Sequence, residues 1–359
     1  MNKPSSLVGI EQSKWGSVND QDVCLFTLQN KKGTRLTVTN YGATAQSLFT
    51  ADKHGILADI LLGYPNLADY QEDDFYMGCV VGRYANRIAG GRVVIDGKEH
   101  QLATRSGGYH QHGGVQGFNK KVFGYAIFEA ETSRGIHFTY TSQHLEEGFP
   151  GTLTLQVTYT LDDADNWIIE YRASTDQATL VNLTQHAYFN LSGQPGQLID
   201  GHELKINSNY YLPVNAMQVP TGKLASVANT PFNFSSFKKI GKDLATDHEQ
   251  LRLSRGYDHS FVLKKASSPA LVHAAVLREK KSGRELNVYT TEPAVHLYTG
   301  NFLDNLAGKN QQRYPQRAGL CLETQHFPDA PNQPDFPATT LRPGEEFYSK
   351  TIFKFSVTS

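Results

Sequence analysis

Apolar and polar positions alternate with period two along most of this chain. Leu153, Leu155, Val157, Tyr159 and Leu161 fall on one side of a strand, with Thr152, Thr154, Gln156, Thr158 and Thr160 on the other, because successive side chains of a strand point to opposite faces. Trp167, Ile169 and Tyr171 repeat the pattern after Asp162–Asn166, an Asp- and Asn-rich stretch that reads as a hairpin connection. Ile136, Phe138 and Tyr140 alternate likewise, as do Leu36 with Val38 and Leu286 with Val288. Helical periodicity is scarce; Asp243 to Leu251 holds one short helix at most. The pattern predicts an all-β chain with very little helix, folded as an antiparallel sandwich or barrel. A proline-rich stretch from Pro328 to Pro343 reads as an ordered surface crossing that returns the chain to a last strand, Glu346 to Phe355. No repeat or domain boundary interrupts the pattern, so a single domain over 1–359 is expected.

Charge narrows the classes of partner. The 359 residues carry 34 basic and 35 acidic side chains, without the clustered positive field that nucleic acid or an anionic membrane requires. A small-molecule partner is expected, with no nucleic acid and no membrane, and the protein as a monomer or a homodimer. Cys24, Cys79 and Cys321 are odd in number and far apart, with no CxxC pair, so neither a disulfide framework nor a zinc knuckle is indicated. Met1 to Trp15 lacks an apolar stretch of signal-peptide type. A reduced, cytoplasmic protein is the expectation. A phosphate loop, a GxGxxG fingerprint, a GxSxG elbow and HExxH are all missing.

Candidate chemistry sits in a few clusters. In Val181-Asn-Leu-Thr-Gln-His-Ala-Tyr-Phe-Asn-Leu191 the even positions Asn182, Thr184, His186, Tyr188 and Asn190 form an uncharged polar row. Such a row suits a concave site that hydrogen-bonds a neutral polyol; an ordinary solvated strand is the alternative. Gly107-Gly-Tyr-His110-Gln-His112-Gly-Gly places two histidines two apart. On a strand that is a metal geometry, but a cupin-type metal site also needs a Glu about where Gln116 stands. The flanking glycines suit a tight loop presenting a histidine to a ligand, and turn-capping imidazoles at the surface are the alternative, preferred for His110.

Glu323 lies in a largely uncharged strand beside Cys321 and Leu322. A carboxyl desolvated there has its pKa raised, as a proton acceptor working near neutral pH requires; pairing with Arg83, Arg87 or Arg92 is the alternative. Asn86 and Arg87, between glycines, suit a hydroxyl clamp or the orientation of a carboxylate. Asp258 suits either a pair of sugar hydroxyls or the start of a turn. His296 and Tyr298 share a strand face.

Taken together and in this order, GRYANRIAGG, HGGVQGFNK, EEGFPG, VNLTQHAYFNL, GYDHSF, YTGNF and CLETQHFPDAPNQP resemble the recurring blocks of the aldose 1-epimerase (galactose mutarotase) family. The resemblance covers nearly the whole chain. It implies a large antiparallel β-sandwich, the galactose mutarotase-like supersandwich, and an isomerase that interconverts the α and β anomers of hexopyranoses without cofactor or metal. It implies Glu323 as general base, His186 as general acid and His112 as the second active-site histidine. Asn86, Arg87 and Asp258 match the sugar-contacting positions. His296 stands where members of the family commonly have Gln. In this reading His186 acts as an imidazolium, kept protonated at neutral pH by neighbouring carboxylates.

Overall fold

The computed structural model describes residues 9–105, 108–194, 196–264 and 270–358. Most of the expected N-terminal stretch, Met1 to Val8, and Gly107 of the histidine cluster lie outside the described residues.

The alternating segments form the expected strands. Leu153–Asp162 pairs antiparallel with Asn166–Thr175, in a register that sets Leu161 opposite Trp167. The hairpin between them is closed by Asp162, whose Oδ1 accepts from the backbone N–H of Ala164 and of Asn166, both at 2.9 Å. Leu153, Leu155, Val157, Tyr159 and Leu161 are all fully buried. These strands lie within a nine-stranded antiparallel sheet that also includes Ser133–Ser142, Phe347–Val357 and Arg284–Thr290. A five-stranded sheet near the N-terminus, from Gly9–Val18 to Leu57–Asp59, sends Phe26, Leu28, Leu36 and Val38 into the same core.

A second five-stranded sheet carries the site. It runs Ala225–Ser226, Ser208–Tyr211, Asp258–Leu263, Ala294–Tyr298, Cys321–Gln325. Every residue of its last two strands is buried. Val295, Leu297 and Leu322 join the main core on one face. The register Asp258↔Tyr298, Ser260↔His296, His296↔Glu323 and Tyr298↔Cys321 puts six polar or aromatic-polar side chains together on the other, because directly opposed residues share a face.

Three expectations need correction. Segment 181–191 is not a continuous strand. It pairs only at Thr184–Gln185 and through single bridges of Asn182 to Tyr84 and of Phe189 to Leu61 and Leu320. All eleven of its residues are buried, which overturns the solvated-strand alternative. Helix occurs at Glu249–Ser254, not across Asp243 to Leu251, and also at Leu67–Glu72, where Asn66 caps the Asp69 N–H. At six residues each, these helices are too short to write a 3.6-residue period into the sequence. The proline-rich stretch is ordered but does not keep to the surface. Phe327, Ala330 and Phe336 are buried with Leu212 and Ala294, and Thr340–Leu341 pairs with Thr179–Leu180. Among the described residues no helix is long and apolar enough to cross a membrane.

Candidate active site

The polar face of the second five-stranded sheet floors a cavity of about 550 Å³, within the range of small-molecule sites. The Asn86 and His112 stretches, the loops 74–76 and 216–218, Phe302 and the buried segment 181–191 complete its walls. Asn86, Arg87, His112, His186, Asp258, His296 and Glu323 all line it. The seven residues singled out in the sequence therefore come together from six separate parts of the chain.

The Asn86 and His112 loops clasp each other. The backbone N–H of His112 donates to the Asn86 carbonyl at 2.9 Å, and the Asn86 N–H donates to His112 Nδ1 at 3.2 Å. Asn86 and His112 both have left-handed φ, +65° and +48°, as does Tyr76 beside them at +56°. Non-glycine residues in this region are costly and cluster where the surroundings over-determine the backbone. Gly113 is required here: a side chain at its position would run into the Gly82 carbonyl. Because its Nδ1 accepts, a neutral His112 carries its proton on Nε2. Burial, and then the charge of its neighbours, lowers its pKa well below 6.5, so it is a neutral donor.

His186 is anchored by its backbone N–H, which donates to the Cys79 carbonyl at 2.9 Å. Its ring lies against those of Tyr76, His112 and Tyr188. Nε2 is 3.7 Å from Glu323 Oε1, and Nδ1 is 3.5 Å from Cys321 Sγ. Glu323 is 1% exposed, and its Oε2 has no hydrogen-bond partner among the described residues. Burial and then the negative charge of Asp258 raise its pKa well above 4.5, with Arg87 offsetting part of the shift. Burial lowers His186 to about 4; the charge of Asp258 opposes this but does not win. This corrects the expectation that neighbouring carboxylates hold His186 as a cation. Burial favours the neutral form of both partners.

None of the three arginines pairs with Glu323. Arg92 lies at the surface near Glu99, at 3.9 Å. Arg83 is buried and donates to the carbonyls of Pro150, Gly151, Ser142 and Gln143 and to the hydroxyls of Ser142 and Thr179. Arg87 sits 3.8 Å from Asp258 and donates to Gln218 Oε1 at 2.8 Å. Asp258 bonds His296 Nε2 at 2.6 Å, and His296 Nδ1 meets Ser260 Oγ at 2.9 Å. Burial works to raise Asp258, but the His296 bond and the Arg87 charge prevail and hold it at about 2. It is an ionised acceptor, and it is buried on a strand, not placed at a turn.

His110 is not a surface cap. It is fully buried, its Nδ1 bonds the Ala103 carbonyl at 2.7 Å, and burial lowers it to about 4. It is absent from the cavity lining, so the two histidines do not act as a pair. Of the polar row in 181–191, only His186 and Tyr188 reach the cavity. Asn182 and Asn190 bond backbone instead. One mixed donor set does exist: His186, Cys321 and Glu323 can bring a nitrogen, a sulfur and an oxygen within 4.8 Å of one another. Burial keeps protons on both Cys321 and Glu323, and a cation there has to displace them.

Several lining residues escaped the sequence reading. Tyr76 and Gln218 lie on loops, and Tyr109 on the three-residue strand Tyr109–Gln111, with no periodicity to flag them. Phe302 was within reach, since it ends the YTGNF block. Glu147, in EEGFPG, lies outside the cavity lining but accepts from the Val115 and Gln116 N–H groups at 2.8 and 3.1 Å. It thereby pins the loop that presents His112.

An antiparallel β-sandwich whose cavity sets a buried carboxyl and imidazole opposite each other, amid fixed donors and acceptors, has the groups to move protons on and off a bound molecule, and the family the chain matches is one of isomerases. The chain belongs to the aldose 1-epimerase family, whose model it matches over residues 25–354. Galactose mutarotase of Homo sapiens is 45% identical over 327 residues, covering 90% of this chain and 91% of the relative. Aldose 1-epimerase of Escherichia coli (strain K12) is 37% identical over 333 residues, covering 92% and 94%. The crystal structure of galactose 1-epimerase from Lactobacillus acidophilus NCFM matches with a TM-score of 0.86 at 30% identity, covering 98% of this chain and 100% of that one. A GalM/aldose epimerase homologue from C. elegans matches with a TM-score of 0.85 at 31% identity, covering 93% and 99%.

Proposed function

We propose that this enzyme interconverts the α and β anomers of hexopyranoses such as galactose and glucose. Glu323 takes the proton of the C1 hydroxyl while His186 delivers one to the ring oxygen. The C1–O5 bond then breaks to give the open aldehyde, rotation about C1–C2 exposes the other carbonyl face, and the two groups reverse roles for closure. The observation that carries this is the 3.7 Å separation of His186 Nε2 and Glu323 Oε1. The two oxygens that exchange protons are bonded to one carbon, so acid and base must stand within a few ångströms of each other.

The burial of the pair fits this chemistry. Carboxylate with imidazolium, and carboxylic acid with imidazole, hold the same number of protons. Ring opening turns the charged pair into the neutral one. Surroundings that favour neutral groups therefore favour the protonation state that accompanies the open aldehyde. Each positioned acid or base contributes about 10²–10⁴-fold.

His112, donating through Nε2, serves an oxygen near the reacting carbon. Asn86, Arg87 and Asp258 hold the remaining hydroxyls, and that fixed orientation is itself catalytic. His296, engaged at 2.6 Å by Asp258, contributes by fixing that acceptor. A neutral sugar is favoured over a sugar phosphate because Arg87 is the one lysine or arginine lining the cavity among the described residues, against Asp74, Asp258 and Glu323. A cytoplasmic setting agrees with three free, buried thiols.

Polarimetry of freshly dissolved α-galactose tests the reading. Glu323→Gln and His186→Asn should each lose accelerated mutarotation while staying folded. Wild-type speed in either variant refutes the role given to that residue.

A further inference from the structure

We propose that Gln218 is a positioning residue that holds the Arg87 guanidinium open toward the sugar and so sets how tightly the enzyme grips it. The inference rests on the reading of Arg87 and Asp258 as hydroxyl-binding groups. Gln218 Oε1 accepts from Arg87 Nη2 at 2.8 Å, and Gln218 Nε2 donates to the Leu253 carbonyl at 3.1 Å. One amide thus ties Arg87, at the start of strand Arg87–Ala89, to the short helix Glu249–Ser254.

The loop that carries Gln218 is built to hold it there. The φ of Gln218 is +58°, a left-handed conformation that persists only where the surroundings fix the backbone. Asn215 supplies that frame. Its carbonyl accepts from the Gln218 N–H at 2.8 Å, and its Oδ1 accepts from the N–H groups of Met217 and Val219 at 2.9 and 3.2 Å. At the base of the turn, buried Gln250 of the same helix grips both backbone groups of Val214. It accepts from the Val214 N–H at 2.7 Å and donates to the Val214 carbonyl at 2.9 Å. Loop and helix are joined at two points, so the acceptor offered to Arg87 is itself fixed from behind.

Arg87 needs such a partner because of what faces it. Asp258 Oδ2 stands 3.8 Å from Arg87 Nη1, too far for a hydrogen bond. Among the described residues, the bond to Gln218 is the only one the guanidinium makes, and its Nε is buried without an acceptor. A planar guanidinium matches a carboxylate as a bidentate pair. Freed from Gln218, Arg87 is drawn onto Asp258, and a sugar has to part the two before its hydroxyls can use either. A neutral amide prevents this closure without cancelling the charge of the cation. Gln218 thereby keeps a donor and an acceptor side by side and unspent.

Polarimetric kinetics of the full-length enzyme on galactose test this. Gln218→Met removes both hydrogen bonds of the side chain at similar length. KM should rise about tenfold, the worth of one hydrogen bond of ordinary strength, with kcat within about twofold because Glu323 and His186 are untouched. Gln218→Glu keeps the acceptor for Arg87 and loses the donor to Leu253, so its KM should stay within about threefold of wild type. In an Arg87→Met background, Gln218→Met should add nothing further to KM. A wild-type KM in Gln218→Met overturns the proposal. So does a Gln218→Glu enzyme as impaired as Gln218→Met, which would make the residue a fastening for its loop. So does an effect of Gln218→Met that persists in full without Arg87, which would make it a direct sugar contact and leave the role of Arg87 intact. A wild-type KM in Arg87→Met alone would instead refute the hydroxyl-binding reading of Arg87, and the proposal with it.

Discussion

Nε2 of His186 and Oε1 of Glu323 stand 3.7 Å apart, beyond hydrogen-bonding reach, in a cavity that favours the uncharged form of both. Two groups this close titrate as a pair, and the form that works is the one holding a single proton between them. As pH falls through about 4, His186 takes up a second proton and no acceptor remains for the C1 hydroxyl. As pH rises through the elevated pKa of Glu323, the pair loses its only proton and no donor remains. We expect kcat/KM to hold a plateau through neutral pH, with its acid limb near pH 4. An ordinary, independent carboxylate and imidazolium would place the alkaline limb at the usual histidine value of about 6.5. Activity already halved by pH 7 would show that the cavity does not favour the neutral pair.

The same burial predicts a trade of stability against activity at Glu323. Its folded pKa lies above the unfolded value of about 4.3, so between those two values the native state binds more protons than the unfolded one. Stability then falls as pH rises through that window. Glu323→Gln cannot ionise and escapes the loss. The variant should therefore be inactive yet more stable than the wild type at pH 7 and above, by ~1–3 kcal/mol, the usual worth of relieving a poorly satisfied buried polar group. The gain should shrink toward zero near pH 4. Chemical denaturation at several pH values reads this directly, and a variant less stable than wild type at pH 8 would mean that Glu323 is better solvated than its burial indicates.

Much of this was legible beforehand, for a physical reason. Strands such as Leu153–Asp162, with one face in the core, record their structure as alternation. Ala294–Tyr298 and Cys321–Gln325 are buried on both faces, so alternation there separates core from cavity instead of core from solvent. An uncharged strand bearing a single carboxylate was the visible trace of that. Segment 181–191 misled because its asparagines serve backbone groups of other loops, which no local pattern encodes. The protonation state of His186 was illegible for a similar reason. It depends on how completely the aromatic rings of Tyr76, Tyr188 and Tyr298 enclose the imidazole, a property of the assembled fold.

Arg83 illustrates a role that spacing alone could not assign. Its guanidinium is 1% exposed and holds four backbone carbonyls of the 142–151 region, from which Glu147 in turn pins the His112 loop. Arg83→Met leaves those acceptors buried and unmatched, and each such group costs ~1–3 kcal/mol. We expect a loss on the order of 3 kcal/mol in urea unfolding. The surviving folded fraction should show a higher KM, as the His112 loop loosens. A variant as stable as the wild type would mean that water replaces the guanidinium at no cost.

The donor set of His186, Cys321 and Glu323 offers a cation one nitrogen, one sulfur and one oxygen, and its protonation decides whether a metal is needed. A zinc ion binds thiolate and carboxylate, so entry requires two protons to leave groups that burial keeps protonated. It also requires His186 and Glu323 to stop serving the sugar. Binding there should inhibit, and more strongly at higher pH, where both protons are easier to remove. Dialysis against a chelator should leave the mutarotation rate unchanged, and added zinc should lower it, with the inhibition weakened in Cys321→Ser. A rate that collapses on chelation and returns with zinc would make the metal part of the reaction and would displace the proton-transfer pair from the centre of the mechanism.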